Sequence, residues 1–333
     1  MSASVNGLAS APHVQVLQAV AAYLYLGVDL FFVLSGYLIT SLLLLARRSQ
    51  NYYRNFYWKR VFRILPALIL ILLLARLIFT VRWSGILAAL FFIANITSVW
   101  GVPEVGQFWS LAIEEQFYLL WPTVIHRTRP RTILRILLTL IVAPPLLRIL
   151  SNALHHGNNR YTPLHCDGLA WGALIAVMAF HARIPFHGLN APALWRRAGR
   201  FMLSGGVALM VVAFFVLHIL HNDFGLLLSA SGPLFAGILL YLLTHRRGLA
   251  ARSLASRPMH FLGDISYMVY LSHAYILELY DRHIRSWSIH PTESGLYLRF
   301  VVILVLSLLW SALSLSAFEH PVGKLRRYFV RPD

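Results

Sequence analysis

The stretch GVDLFFVLSGYLIT, residues 27–40, reads as the start of a membrane-crossing helix that carries an acid, Asp29, near one end. Continued to residue 46, the run is about 20 residues, enough to cross a ~30 Å hydrocarbon core as an α-helix. A charge placed there is costly, so Asp29 needs a reason. One reading makes it a cap for the helix that begins at Gly27, where an acid is favoured. The other makes it part of an internal polar site.

Working outward, apolar runs of similar length recur near 64–80, 83–100, 107–125, 132–150, 164–182, 201–220, 224–244, 260–279 and 296–316. The chain is 58% hydrophobic and 12% charged, with a mean hydropathy of +0.66, whereas soluble domains are about a quarter charged. These features predict an all-α fold: a polytopic helical membrane protein with about nine to ten transmembrane helices. The net charge of +17 does not indicate nucleic acid, because Arg and Lys gather in short segments between the apolar runs. Cytoplasmic loops show that pattern. The single cysteine, Cys166, excludes an intramolecular disulfide framework and a CxxC metal site, so no metal is expected. The opening MSASVNGLASAPH lacks the basic start and apolar core of a secretory signal.

The basic segments RRSQNYYRNFYWKRVFR (47–63), HRTRPRT (126–132), RIPFHGLNAPALWRRAGR (183–200), HRRGLAARSLASR (245–257) and KLRRYFVRPD (324–333) are all expected on the cytoplasmic side. Sidedness alternates correctly from 126 to the end. It fails once, because three apolar runs separate the basic segments at 47–63 and 126–132. The segment 83–100, short and containing Asn95 and Thr97, is therefore expected to be re-entrant or buried without crossing. That arrangement places residue 27 outside and predicts that a preceding inside-to-outside helix is missing. The segment 14–26 is too short to span alone.

Three further polar groups stand in or against the apolar runs. Arg60 and Arg63, in FYWKRVFRILP (56–66), are three apart and share a helical face at the cytoplasmic mouth of the next span. They suit either bidentate grip of a phosphorylated donor or snorkelling to lipid headgroups. Glu114, in QFWSLAIEEQFYLLWP (107–122), shares a face with Ser110, Leu111, Phe117 and Tyr118, while Glu115 points about 100° away. Glu114 can orient a base, bind sugar hydroxyls or pair with Arg76, Arg135 or Arg148. His273, in LGDISYMVYLSHAYILELY (262–280), shares a face with Tyr270 and Ser266. It suits a base near neutral pH or a core histidine satisfied by a hydroxyl. These residues alone allow a transferase or a transporter.

In order along the chain, GVDLFFVLSGYLIT, NFYWKRVFRILPAL, FWSLAIEEQFYLLWP, LGDISYMVYLSHAYI and FEHP (318–321) resemble the blocks of the membrane acyltransferase-3 family, bacterial O-acyltransferases of surface polysaccharides. HCDGLAWGALIA (165–176) resembles another family block, with His165 where an arginine usually stands. The resemblance implies a helical membrane fold of about ten spans in the bacterial cytoplasmic membrane. It also implies transfer of an acyl group, commonly acetyl, from acyl-CoA to a hydroxyl of a surface polysaccharide, such as lipopolysaccharide, or of a lipid-linked glycan. No permanently bound cofactor is implied.

By position, Arg60 and Arg63 match the family's cytoplasmic arginine pair at the acyl-CoA end, Glu114 the glutamate of its SLxxE block, and Asp29 the acid of its GVD block. Family members begin with a helix bearing an arginine and, about ten residues later, a histidine regarded as the catalytic base. His13 stands roughly there, but no arginine precedes Arg47. The expectation is an atypical segment 1–26 with an incomplete first helix, an acyltransferase-3-like domain over 27–321 and a basic tail at 322–333. The implied mechanism has a histidine, His13 or His273, deprotonate the acceptor while Asp29 or Glu114 orients it. The alternatives are a truncated, non-catalytic homologue and a transporter or flippase of lipid-linked sugars. The last predicts inverted halves with helices broken by Gly or Pro in matching positions, and APP (143–145) and SGP (231–233) occur without a half-to-half match.

Overall fold

A computed structural model describes residues 25–97, 103–154, 160–182, 193–220, 225–283 and 293–331. Among these residues every regular element is helical: α1 (Gly27–Leu45), α2 (Tyr52–Phe79), α3 (Trp83–Leu90), α4 (Ala94–Thr97), α5 (Trp109–Arg127), α6 (Pro130–Ala153), α7 (Thr162–His165), α8 (Asp167–His181), α9 (Ala193–Leu220), α10 (Gly225–Thr244), α11 (Leu249–Leu254), α12 (Arg257–His283), α13 (Glu293–Ser314) and α14 (His320–Lys324). The protein is a polytopic helical membrane protein. By length and composition, six stretches can cross a bilayer: α1, α2, α6, most of α9, most of α10, and the run from α13 onward. The nine spans counted from sequence also take in the shorter α8 and the more polar α5 and α12.

The basic segments between the predicted apolar runs also carry helix, and two of them begin long helices. Tyr52–Arg63 forms the first turns of α2, a 28-residue helix about 42 Å long, and Ala193–Arg200 opens α9. Aromatic and basic residues suit a helix end at a headgroup layer, so a change in composition there does not end the helix. The segment 83–100 contains no membrane-length helix among its described residues. α3 has eight residues and stops at Phe92, whose φ of 55° is left-handed, and α4 adds one turn.

The helices fall into two compact units. One comprises Leu26–Tyr53 and Leu87–Ala255. Within it α1 and α8 cross closely: a Cβ on Gly36 would overlap the carbonyl of Leu169, and one on Gly172 that of Val33. α9 and α10 meet the same way through Gly206 and Gly237. Where lipid competes equally for apolar surface, such small-residue contacts let dispersion hold helices together. Trp121 Nε1 donates to Thr40 Oγ1 at 2.8 Å, and Ser35 Oγ bonds the Tyr118 hydroxyl, tying α5 to α1. Arg47 donates to the carbonyl of Thr128 at 2.7 Å, placing a cation at the C-terminal end of α5.

The other unit contains Arg54–Ile86 and Ser256–Pro332. Here α12 packs on α13. The chain continues helically beyond α13 through a π turn at Leu315–Glu319, α14 and a 3-10 turn at Leu325–Tyr328.

Candidate functional site

The buried polar groups of the first unit converge on the junction of α7 and α8. His165 ends α7, Asp167 begins α8, and the buried Cys166 between them makes the turn. The two polar residues face different partners. His165 Nε2 lies 2.8 Å from Oδ1 of Asp29 on α1 and donates to it when the acid is ionised. Asp167 takes a bidentate pair from Arg148 on α6, at 2.5 and 3.2 Å.

α10 supplies one serine to each centre. Ser231 Oγ stands 2.9 Å from Asp29 Oδ2 and 2.8 Å from the Leu228 carbonyl, so its single proton is shared between two acceptors. Ser229 Oγ accepts from Arg148 at 2.9 Å, and the Leu164 carbonyl accepts from the same guanidinium at 2.6 Å. Both oxygens of each carboxylate are therefore engaged, as buried carboxylates require. Asp29, Arg148, His165, Asp167 and Ser231 are each under 5% exposed. Phe32 and Trp109 pack edge-on against the His165 ring, with centroids 5.5 and 5.0 Å away.

Charge decides how the two centres differ. Arg148 balances Asp167 permanently. Asp29 instead faces a histidine ring nitrogen and a serine hydroxyl, with no arginine beside them in these contacts.

α7 also anchors the interrupted segment. Gln116 donates to the Phe92 carbonyl at 2.8 Å and to Asn95 Oδ1 at 3.0 Å. Asn95 donates to Thr162 Oγ1 at 2.9 Å, and Thr162 closes the ring onto Gln116 Oε1. This amide ring holds the left-handed residue Phe92 in place.

Glu114 is buried on α5 with Ser110, Leu111, Phe117 and Tyr118, whereas Glu115 is half-buried. Two of the three arginines suggested as its partners make other contacts, and the third is exposed: Arg148 binds Asp167, Arg76 stacks over Trp83 at 5.5 Å, and Arg135 faces outward.

In the other unit, Arg60 and Arg63 stand one turn apart on α2, half-buried and exposed respectively. Arg63 lies in electrostatic reach of Glu319 in the FEHP block, which accepts from Ser314 at 3.1 Å. His273 is exposed, while the buried face of α12 carries Ile265, Met268, Leu271, Ser272 and Tyr275. Its Nδ1–H donates to the Tyr270 carbonyl at 2.6 Å, so its partner is backbone and not the hydroxyl expected of a core histidine. His13 lies outside the described residues.

A family model described as an acyltransferase domain matches residues 4–315. The chain belongs to the acyltransferase-3 family. Among curated proteins it is similar to O-acetyltransferase OatA of Staphylococcus aureus (strain NCTC 8325 / PS 47), 28% identical over 90% of this chain and 53% of that protein. It is also similar to peptidoglycan O-acetyltransferase OatA of Listeria monocytogenes serovar 1/2a, 26% identical over 77% of this chain and 45% of that protein. The chain thus spans about half the length of these relatives. No solved structure matches it.

The match embraces Asp29, Arg60, Arg63, Glu114 and the 165–167 turn alike. Sequence reasoning did not find the partners of Asp29. His165 is 136 residues from Asp29 and Ser231 is 202 away, so no local spacing links them. The available signal was the change from arginine to histidine in the HCDGLAWGALIA block.

Proposed function

We propose that this acyltransferase-3 protein moves an acyl group, acetyl first among candidates, from acyl-CoA to a hydroxyl of a cell-wall glycan at the bacterial cytoplasmic membrane. The relatives' names, O-acetyltransferase and peptidoglycan O-acetyltransferase, support the acetyl group and the wall glycan. The observation that carries the reading is the carboxylate of Asp29, buried inside the family domain with both oxygens held.

In the proposed reaction, a histidine takes the proton of the acceptor hydroxyl as its oxygen attacks the thioester carbonyl. The C–S bond then breaks, and the CoA thiolate leaves and recovers a proton from the imidazolium. We assign the base to His13, with His273 as the second candidate. Asp29 is the acid that stabilises the imidazolium, and His165 with Ser231 fixes its carboxylate. Glu114 is a second buried acid for orienting the acceptor, and Arg60 and Arg63 hold donor phosphates.

The test supplies labelled acetyl-CoA and wall glycan to membranes containing the protein. Asp29→Asn and His13→Ala are each expected to lower transfer by about 10²–10⁴-fold, the usual worth of a positioned acid or base. His273→Ala should retain most activity. Wild-type rates in Asp29→Asn would refute the reading.

The transporter alternative gains nothing from the helices themselves. Pro144, Pro145 and Pro233 lie within α6 and α10, which run on through them, whereas that alternative calls for helices broken by Gly or Pro in matching positions.

A further inference from the structure

The residues after α14 are tied to the start of α2 by three separate contacts within one unit. Asn55, 7% exposed, donates to the Arg331 carbonyl at 2.8 Å and accepts from the Arg331 amide at 3.0 Å. A side-chain amide thus pairs with backbone as a neighbouring strand would. Arg54 Nε donates to the Phe329 carbonyl at 3.2 Å. The Phe329 ring packs against Trp58 and Phe62, with centroids 4.5 and 5.2 Å away.

Backbone and aromatic contacts hold this strap, leaving most of its charges uncommitted. Lys324, Arg326, Arg327 and Arg331 are exposed, as are Arg54, Lys59 and Arg63 on the helix beneath. Among the described residues, Arg327 contacts the Tyr328 hydroxyl, at 2.8 Å, and that residue's ring. One carboxylate, Glu319, lies in electrostatic reach of Arg63. Folding that gathers seven exposed cations on two chain segments works against their mutual repulsion, so the surface complements a multiply charged anion.

We propose that the strap at 324–331 is the second half of the donor site and binds nucleotide phosphates of acyl-CoA beyond those that Arg60 and Arg63 engage. This rests on the acyltransferase reading above. A coenzyme A carries a diphosphate and a 3′-phosphate, more anionic oxygens than two arginines can engage. The strap supplies the remaining donors, and the Asn55 clamp places them.

The decisive variant is Arg326→Gln with Arg327→Gln, two exposed positions whose substitution leaves the clamp intact. Calorimetric titration of coenzyme A into the purified full chain should give a Kd about tenfold weaker than wild type, as loss of charge-assisted contacts predicts. In transfer assays, kcat/KM for acetyl-CoA relative to S-acetyl-pantetheine, which lacks the nucleotide phosphates, should fall about tenfold. Asn55→Ala should move the same ratio in the same direction. An unchanged Kd and an unchanged ratio would overturn the proposal. So would an effect seen only in vesicles containing phosphatidylglycerol and absent in pure phosphatidylcholine, which would assign the strap to lipid headgroups. Absence of transfer from either donor by the wild type would sink the acyltransferase reading instead, while the titration would still decide the strap.

Discussion

The α7–α8 junction and the C-terminal strap both concentrate ionisable side chains, and they handle them in opposite ways. At the junction each charge meets another side chain: Arg148 meets Asp167, and Asp29 meets His165 and Ser231. On the strap, backbone carbonyls and aromatic rings make the contacts, and the cations remain in solvent. Dielectric explains the difference. Out of water an unmatched charge costs several kcal/mol, so pairing is compulsory, whereas in water it costs little and the charge stays available to a ligand. Buried pairs therefore report what holds the first unit together, and exposed cations report what the second is able to bind.

The sharpest way to break this contrast is Arg148→Met. It removes one partner of a buried bidentate pair and strands the Asp167 carboxylate, an event worth about 3–5 kcal/mol. Thermal unfolding of the detergent-solubilised protein, followed by helical circular dichroism, should show a clear loss of stability. Arg148→Met combined with Asp167→Leu should recover much of it, because a buried pair replaced by apolar residues is often nearly neutral. If the single variant is as stable as wild type, the junction is not a dry, paired centre.

How much of this was legible follows from what kind of information each feature uses. The apolar helices were readable because hydropathy is local, and counting basic segments singled out 83–100, whose described residues hold no membrane-length helix. The burial of Glu114 with Ser110 and Tyr118 is likewise a matter of 3.6-residue periodicity along one helix. The helical face of Arg60 and Arg63 was readable, but how far α2 and α9 reach into the basic segments was not, because basic aromatic stretches look the same in an interfacial helix and in a loop. Arg148 was one of three arginines offered to Glu114 among other roles, and Asp167, which it binds, lies 19 residues along and across a turn. Contacts between helices depend on crossing geometry, here set by Gly36 and Gly172, and a single sequence does not display that geometry.

An intermediate case tests whether neutral polar groups follow the same rule. Gln116→Leu removes the centre of the amide ring, orphaning acceptors and donors on Asn95, Thr162 and the Phe92 carbonyl. Leaving such groups unsatisfied costs about 1–3 kcal/mol, less than a stranded charge. The unfolding midpoint should fall by less than in Arg148→Met. Proteolysis near residues 91–97 should also rise, because Phe92 loses the bond that holds its left-handed backbone. An unfolding loss without new cleavage there would show that the ring stabilises the fold but does not hold the break between α3 and α4.

The smallest effect lies at the exposed end of the comparison. Glu278 and Arg282 pair at 2.5 Å across one turn of α12, with side chains 46% and 49% exposed. The distance matches that of Arg148 and Asp167, so geometry alone would rank the two pairs equally. Solvent screening separates them: an i,i+4 pair at the surface is worth about 0.3–0.5 kcal/mol. Glu278→Gln removes the pair while leaving the Arg282 guanidinium over the Phe79 ring, 5.0 Å from its centroid. The expected shift in unfolding midpoint is close to the error of measurement and should vanish in high salt. A loss comparable with that of Arg148→Met would mean that this face of α12 is shielded from water, and that exposure does not divide the chain's charges into structural and available ones.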